Sequence, residues 1–198
     1  MIVVGLTGNL ASGKNEAAKV FKSLGARVLD ADEAAKKLAK KGSPIFKAIV
    51  KLFGEDFVAK NGKLDRRKLA WHVFQHPADL KKLNTLIHPG VILEAYKAIE
   101  SVKARKGMLV LNVPLLFEAR MEKLVDVTVV VRSSDKQIFS RAAKRGVPKA
   151  LTQKILASQW SGAKKAALAD HVITNDGTLA ELALKVKKVF GKIKTDLT

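Results

Sequence analysis

Short apolar runs alternate with longer segments of mixed polarity along this chain. Residues 2–7 and 108–113 are almost continuously apolar, and residues 126–131 are rich in valine. Runs of this length that are rich in β-branched residues are typical of buried strands. Residues 26–30 and 171–174 are two shorter candidates of the same kind. The pattern therefore predicts five strands.

Helical patterns separate these predicted strands. One helix is predicted from Lys14 to about Leu24, and another follows Asp32. Two more are predicted to begin at Ser134 and Thr178, because Gln or Glu stands three residues later in the capping-box pattern. Since strands and helices alternate and the strands are apolar throughout, the sequence predicts an α/β fold. Its parallel five-stranded sheet carries helices on both faces.

The 198 residues are predicted to form one domain with three parts. The core is assigned to residues about 1–39, 108–133 and 170–198. The segment from about 40 to 107 has helical stretches but no strong strand pattern, which predicts a helical insertion. The helical stretch from about 134 to 169 is the natural position for a lid.

The composition excludes several classes of protein. There is no cysteine, which rules out disulfides, thiolate nucleophiles and cysteine metal sites. No apolar stretch approaches the ~20 residues that span a bilayer, and the first residues lack the basic start of a signal peptide. We therefore expect a cytoplasmic protein that does not span a membrane.

The chain is strongly basic, with a formal net charge of +19. Such a surface attracts anions, including nucleotides, acidic cofactors and nucleic acid. Nucleic acid is the less favoured partner, because only 6% of the residues are aromatic and no basic strand carries aromatic residues for base stacking. The other interpretation is a solvated lysine-rich surface without a dedicated partner. The sequence predicts no particular oligomeric state.

A glycine-rich stretch after the first predicted strand gives the strongest chemical signal. It matches the G-x-x-x-x-G-K pattern of a phosphate-binding loop and lies between a strand and a helix, as that loop requires. Backbone N–H groups there meet phosphate oxygens, and the lysine reaches the β- and γ-phosphates. The candidate nucleotide-binding residues are Gly8, Asn9, Leu10, Ala11, Ser12, Gly13, Lys14 and Asn15.

Asn15 departs from the usual pattern, in which serine or threonine follows the lysine. The usual hydroxyl is compact and ligates Mg²⁺, whereas the asparagine carbonyl oxygen can do so from a longer arm. We therefore expect ATP and Mg²⁺ to bind here, with Asn15 as the candidate metal ligand.

Carboxylates follow the second predicted strand, at Asp30, Asp32 and Glu33. In a doubly wound sheet the chemistry lies at the carboxyl ends of the strands, which places Asp30 or Asp32 near the phosphate loop. A carboxylate there can orient an attacking hydroxyl and accept its proton. The alternative is that Asp30 caps the next helix and Asp32 is a solvated acid in its first turn. The spacing alone leaves both interpretations open.

Several segments taken together resemble the dephospho-CoA kinase family. They read GLTG…SGK, VLDADEAAKKL, GKLDRRKL, LIHPGV, NVPLLFE and ADHVITNDG, and the likeness extends from Ile2 to about Leu182. The resemblance implies a P-loop kinase with a five-stranded parallel core, a helical acceptor-binding part and a lid. It also implies transfer of the ATP γ-phosphate to the ribose 3′-hydroxyl of dephospho-CoA, the last step of coenzyme A synthesis.

The resemblance assigns roles to individual residues. Asp32 is the implied catalytic base, with Lys14 and Arg141 completing the catalytic set. Arg141 and Arg145 are four apart on a predicted helix, so they would share a face and could clamp a polyphosphate, although surface arginines are expected in a basic chain. His88 has a second interpretation as a helix-boundary residue before Pro89. The further candidates are Arg145 and Asn175 for the nucleotide and Thr7, Asp32, His88, Pro114, Leu115 and Lys165 for the acceptor.

Other departures from the family pattern bear on activity. Asn9 and Ala11 replace glycines and stiffen the loop. Asn112 stands where an acid could end the third strand, and Lys36 replaces an arginine, keeping the charge but losing its fork. Two alternatives therefore stay open. One is another P-loop kinase of small molecules or nucleotides, and the other is a nucleotide-binding protein of low activity that also binds nucleic acid.

Overall fold

Parallel strands form one sheet in a computed structural model that describes residues 1–104 and 106–196. The strand order is β2-β3-β1-β4-β5. The five predicted strands are confirmed, and their ends differ from the prediction by one residue or none. The strands are β1 Ile2–Thr7, β2 Arg27–Asp30, β3 Met108–Asn112, β4 Val127–Arg132 and β5 His171–Thr174.

The central strand β1 pairs with β3 on one side and with β4 on the other. Every residue of β3 is buried, and so are five of the six residues of β1. Strands covered on both faces by crossover helices need apolar residues at every position, which explains the unbroken apolar runs. Because all strands run in the same direction, Thr7, Asp30 and Asn112 end three neighbouring strands at one edge of the sheet.

The helices account for most of the remaining chain. The helix expected after Asp32 begins at Ala31, so Asp32 itself lies in the first turn of that helix. The helix-boundary interpretation of His88 is wrong, because a single long helix continues through Pro89. The helices are α1 Lys14–Ser23, α2 Ala31–Leu38, α3 Pro44–Phe53, α4 Arg66–Gln75, α5 Pro77–Val102, α6 Asp135–Lys144, α7 Lys149–Ala157, α8 Gly162–Leu168 and α9 Leu179–Asp196.

The two predicted capping boxes have different outcomes. The box at α9 is confirmed, since the Thr178 N–H donates to Glu181 Oε2 at 2.8 Å and the Glu181 N–H donates to Thr178 Oγ1 at 3.2 Å. The box at α6 is wrong, because the Ser134 side chain makes no capping hydrogen bond. The Gln137 amide donates instead to the Asp176 carbonyl, 39 residues away. A distant loop thus replaces the local partner.

Contacts divide the chain into two compact units, one of Met1–Asp30 with Tyr96–Thr198 and one of Ala31–Ala95. In the first unit the sheet packs against α1 and α9 through residues such as Phe21 and Val186. The second unit has its own apolar core, which includes Ile49 and Val73. The ranges 40–107 and 170–198 expected from the sequence include residues 105, 197 and 198, which lie outside the described residues.

Membrane-spanning helices are not found in the described part of the chain, where every helix is too short or too polar to cross a bilayer.

Candidate active site

Two glycines shape the predicted phosphate loop between β1 and α1. A Cβ atom on Gly8 would lie 2.3 Å from the carbonyl oxygen of Val131, so only glycine fits beside β4. Gly13 has a φ of +100° and immediately precedes α1, and a Cβ atom there would lie 2.0 Å from Asn175 Nδ2. The loop therefore depends on glycine at both positions where the motif has it.

Gly13→Ala is expected to lower the free energy of unfolding by about 2–4 kcal/mol, because left-handed backbone costs about 1–2 kcal/mol and the new methyl group also displaces Asn175. Gly25→Ala is the matched control. Gly25 has a φ of +94°, but no atom of residues 1–104 or 106–196 lies within 4 Å of its added Cβ, so this variant bears the backbone cost alone. Urea denaturation measures both variants, and equal losses would contradict the clash with Asn175.

Two side chains of the loop belong to an apolar cluster with α6. Leu10 and Ala11 pack against Ile138 and Ala142 of α6 in a small apolar cluster. Ala11 has a φ of +56°, which explains why glycine suits this position so well. Their contribution to binding an anion is therefore limited to their backbone groups.

Asn9 fixes the loop to the segment between α7 and α8. Its Nδ2 group donates to Gln159 Oε1 at 3.2 Å and to the Trp160 carbonyl at 2.9 Å. The Leu10 N–H donates to the same Gln159 oxygen at 3.1 Å. The asparagine that replaces a family glycine thus has a structural use, which the sequence alone did not indicate.

Donors suited to an anion are present at the start of α1. Gly13 precedes the helix and has no side chain that could cap its first N–H groups. The buried Ser12 Oγ has no hydrogen-bond partner among residues 1–104 and 106–196. Asn175 Nδ2 holds the Ser12 carbonyl at 2.8 Å, which keeps that oxygen bonded within the protein. This arrangement fits a phosphate group.

Lys14 is buried, with 6% of its surface exposed, and lies in a network of polar side chains. Its Nζ donates to Asn112 Oδ1 at 2.5 Å and to Asn15 Oδ1 at 3.1 Å. Asn112 Nδ2 donates in turn to Asp30 Oδ2 at 2.7 Å and to Asn15 Oδ1 at 3.1 Å. The ends of β2 and β3 are thereby connected to the phosphate loop.

The Asn112 amide satisfies two opposite charges at once. Its oxygen accepts from the Lys14 ammonium, while its nitrogen donates to the Asp30 carboxylate. A carboxylate at this position has no proton to donate and would face Asp30 with a like charge. In the sequence, Asn112 stood out only as a position where an acid could end the third strand. In the structure this fully buried residue connects two charged side chains.

Oxygen donors suited to Mg²⁺ are grouped in this network. The Asn15 Oδ1 and the Asp30 carboxylate are the hard oxygen ligands that Mg²⁺ prefers. Asn15 Oδ1 already accepts from both Lys14 and Asn112, so it would ligate an ion only by giving up one of these bonds. The residues present fit a magnesium ion, with Asp30 added to the predicted Asn15.

Arg141 and Arg145 have different environments. Arg141 lies in α6, where its Nη1 donates to Ser133 Oγ at 2.8 Å and its Nη2 reaches the Gly177 carbonyl at 3.5 Å. Ser133 Oγ also donates to the Asn175 carbonyl, which connects Arg141 to the residue that holds the phosphate loop. Arg145 is exposed and caps the end of α6, one residue beyond its last turn.

Asp176 joins this loop to α6. Its Oδ1 accepts from the Ser134 N–H at 2.7 Å. That hydrogen bond, aided by others from the Ser134 and Ser133 hydroxyls and by the Arg141 charge, lowers the pKa of Asp176 against a smaller opposing effect of burial. The Asn175-Asp176-Gly177 segment thus connects the phosphate loop to α6 through its polar groups.

Thr7 and Lys165 converge on the backbone of Pro114. Thr7 Oγ1 donates to the Pro114 carbonyl at 3.0 Å, and Lys165 Nζ donates to it at 2.8 Å. Lys165 is fully buried and pairs with Glu118 Oε1 at 3.0 Å. Burial lowers the pKa of Lys165, and the charge and hydrogen bond of Glu118 partly offset this. Three predicted acceptor residues therefore form one group at the end of β3, in which Thr7 and Lys165 are buried and Pro114 is half-buried.

Lys165→Met is expected to destabilise the fold by about 3–5 kcal/mol, because it leaves the Glu118 carboxylate without its cation. Lys164→Met is the matched control, since Lys164 lies on the same helix and is exposed over the Trp160 ring at 3.5 Å. That control is expected to lose no more than about 1 kcal/mol. Thermal unfolding at pH 7 measures the difference, and similar melting temperatures would disprove the buried pair's importance.

The remaining candidates divide between the two units. Leu115 is half-buried just beyond β3. Asp32 and His88 belong to the second unit, where Asp32 is exposed in the first turn of α2. Burial lowers the pKa of His88, which disfavours the charged imidazolium form. The sequence left open whether Asp30 or Asp32 lies near the phosphate loop. It gave no indication that Gln159 belongs to the site.

Comparison with known proteins agrees with this geometry. The family model described as dephospho-CoA kinase matches residues 2–181. A dephospho-CoA kinase of Fusobacterium nucleatum is 38% identical over 189 residues, which cover 95% of this chain and 96% of that protein. These matches support neither of the two alternatives that the sequence left open, another P-loop kinase or a nucleotide-binding protein of low activity that also binds nucleic acid.

Solved structures show the same architecture. A protein of Thermus thermophilus superposes with a TM-score of 0.78 at 29% identity, covering 100% of this chain and 98% of that one. A shikimate kinase of Acinetobacter baumannii has a TM-score of 0.57 at 15% identity, covering 100% and 96%, and shares the fold alone. The predicted P-loop kinase fold is thus confirmed. With the match over residues 2–181, the chain belongs to the dephospho-CoA kinase family.

Proposed function

We propose that this chain transfers the γ-phosphoryl group of ATP to the ribose 3′-hydroxyl of dephospho-CoA, the last step of coenzyme A biosynthesis. The observation that carries the proposal is the glycine-bounded loop with the buried Lys14, in a chain whose family is known. Because the reaction requires ATP, we also propose a cytoplasmic location.

The phosphate loop binds the ATP phosphates in this proposal. Backbone N–H groups of residues 8–15 contact the phosphate oxygens, and the Ser12 hydroxyl supplies a further donor. Lys14 Nζ lies against the β- and γ-phosphates, where its charge offsets the negative charge of the transferring group. Burial of Lys14 supports this role, because a fixed ammonium in a site of low dielectric acts more strongly than one in water.

Asn15 and Asp30 would hold Mg²⁺, directly or through water. When bound, the ion would neutralise part of the negative charge on the ATP phosphates. The hydrogen bonds of Asn112 support this role, since they hold the side-chain oxygen atoms of Asn15 and Asp30 beside Lys14. Asn112 itself acts as a positioning residue.

Asp32 is proposed to orient the acceptor hydroxyl and to take its proton. This role comes from the family resemblance of the Asp30-Ala31-Asp32 segment, and exposure of Asp32 at the start of α2 supports it. His88, Thr7, Pro114, Leu115 and Lys165 are proposed for acceptor binding. Because the side chains of Thr7 and Lys165 are fully buried, they act by shaping the backbone at Pro114.

Arg141 and Arg145 are proposed to contact the polyphosphate when α6–α8 close as a lid over the nucleotide. The half-buried Arg141 already connects α6 to Ser133 and, through it, to Asn175. The exposed Arg145 supplies a second guanidinium near the end of the same helix. Exclusion of water by the lid would strengthen every charge interaction around the transferring group.

A substrate panel tests the proposed reaction. With ATP and Mg²⁺ present, ADP release is expected to rise by at least about 10²-fold on adding dephospho-CoA, because the acceptor hydroxyl replaces water as the nucleophile. Nucleoside monophosphates, shikimate and gluconate serve as matched acceptors, and mass spectrometry of the product locates the phosphate. Equal rates with a nucleoside monophosphate would refute the substrate assignment.

A further inference from the structure

The junction of α4 and α5 contains a group of metal-ligating side chains that the proposed kinase reaction does not use. We call it the histidine cluster, formed by His72, His76 and Asp79. His72 lies in the last turn of α4, His76 follows that helix, and Asp79 lies in the first turn of α5. All three belong to the second compact unit.

Short distances separate the potential ligand atoms of the cluster. His72 Nε2 lies 2.9 Å from Asp79 Oδ2, and one atom from each residue lies within 4.8 Å of the other two. Ligands at 2.0–2.2 Å from a tetrahedral Zn²⁺ are about 3.3–3.6 Å apart. Small side-chain movements therefore suffice to bring the three atoms to one ion, and the exposed His76 ring already stacks on the His72 ring with its centroid 4.3 Å away.

The orientation of both imidazole rings is already set. His76 Nδ1 lies 2.9 Å from the His72 carbonyl oxygen, so it carries the proton and donates it, which leaves the lone pair on Nε2. Metal-binding histidines are commonly oriented by such a bond to a backbone carbonyl. The His72 ring is held by the rings of Phe57 at 5.2 Å and Phe53 at 6.3 Å.

We propose that the histidine cluster binds one divalent transition-metal ion, of the class of Zn²⁺ or Ni²⁺. Two imidazole nitrogens and one carboxylate oxygen suit these ions better than Mg²⁺ or Ca²⁺, which prefer oxygen ligands. Histidines four residues apart on a helical stretch are a known arrangement for such ions. The three ligands leave one position to water, and the bound ion joins α4 to α5. This site is independent of the proposed phosphoryl transfer.

Lys82 allows a second test, in which the expected change in metal affinity is opposite to that caused by removing a ligand. Its Nζ lies 3.1 Å from Asp79 Oδ1, the carboxylate oxygen that does not face His72. A positive charge so close to the site weakens the binding of a cation. Removing it is expected to tighten binding, whereas removing a ligand loosens it. Because Asp79→Asn and Lys82→Gln also change the local charge, His76→Gln, which removes a ligand but no carboxylate, separates loss of a ligand from a general effect of charge.

Isothermal titration of the untagged full chain with NiCl₂ and with ZnCl₂ tests the site without nucleotide or Mg²⁺. We expect one ion per chain to bind with high affinity. His76→Gln and Asp79→Asn are expected to weaken binding at least about 10-fold. Lys82→Gln is expected to tighten it about threefold. His171→Gln, in β5, is the matched control and is expected to leave the affinity unchanged.

Proton NMR of the imidazole signals distinguishes the cluster from other ligands. The chain has four histidines, so substoichiometric Ni²⁺ is expected to broaden the signals of His72 and His76 before those of His88 and His171. Circular dichroism confirms that each variant is folded. Absence of saturable binding, equal affinity of wild type and His76→Gln, or uniform broadening of all four signals would each overturn the proposal.

Discussion

Lys14→Met is expected to lower kcat by about 10²–10³-fold, because the variant loses the fixed charge that stabilises the transferring phosphoryl group. The methionine side chain fills a similar volume, so the loop remains packed. It also leaves Asn112 Oδ1 without the donor now at 2.5 Å, which adds a destabilisation of about 1–3 kcal/mol.

The matched control for this variant is Lys19→Met on the same helix. Lys19 is exposed and pairs with Glu16 at 2.9 Å, so its loss is expected to change kcat less than twofold. ADP release at saturating ATP and dephospho-CoA measures both variants, and urea denaturation confirms that both are folded. A kcat for Lys14→Met within about threefold of wild type would remove this residue from the catalytic set.

Asp32→Asn is expected to lower kcat by about 10²–10⁴-fold, because asparagine keeps the shape of the side chain but cannot accept the acceptor's proton. The affinity for ATP is expected to stay within about twofold of wild type, since a proton acceptor contributes to the transition state and not to nucleotide binding. Single-turnover kinetics with dephospho-CoA and calorimetry with ATP measure the two quantities separately.

Two neighbouring carboxylates provide the controls for Asp32. Glu33→Gln removes an acid from the same first turn of α2, so it loses the same favourable interaction with the helix dipole while leaving the chemistry intact. Asp30→Asn removes the carboxylate that Asn112 contacts at 2.7 Å. Normal turnover of Asp32→Asn would remove this residue from the role of base, whereas loss of activity in Asp30→Asn is expected from the proposed part of Asp30 in holding Mg²⁺.

The sheet could be predicted because each strand is specified by its own short stretch of residues. Each strand is an apolar run that must be covered on both faces, and a run such as residues 108–112 admits few other structures. Helix ends were predictable where the cap is local, as at Thr178 and Glu181. The box at Ser134 failed because Asp176, distant in sequence, offers its carboxylate to the Ser134 N–H.

The candidate site was predictable in its loop and much less so in its supports. The spacing of Gly8, Gly13 and Lys14 is itself the physical requirement for approaching a phosphate, so the motif is visible in the chain. Asn175 holds Ser12 across 163 positions of sequence, and no local pattern encodes such a contact. Asn15 and Asn112 were identified only as two separate departures, whereas in the fold they share hydrogen bonds.

That shared bonding constrains how the site could change by successive mutations. Asn15→Ser alone would withdraw the acceptor that now faces the Asn112 amide, leaving a buried N–H group without that partner. Asn112→Asp alone would lose both donated hydrogen bonds and bring a second carboxylate against Asp30. Both substitutions remove the same hydrogen bond, so their effects on stability are expected to be non-additive. An evolutionary path between this site and one with serine and aspartate therefore begins with a destabilising step, whichever substitution comes first.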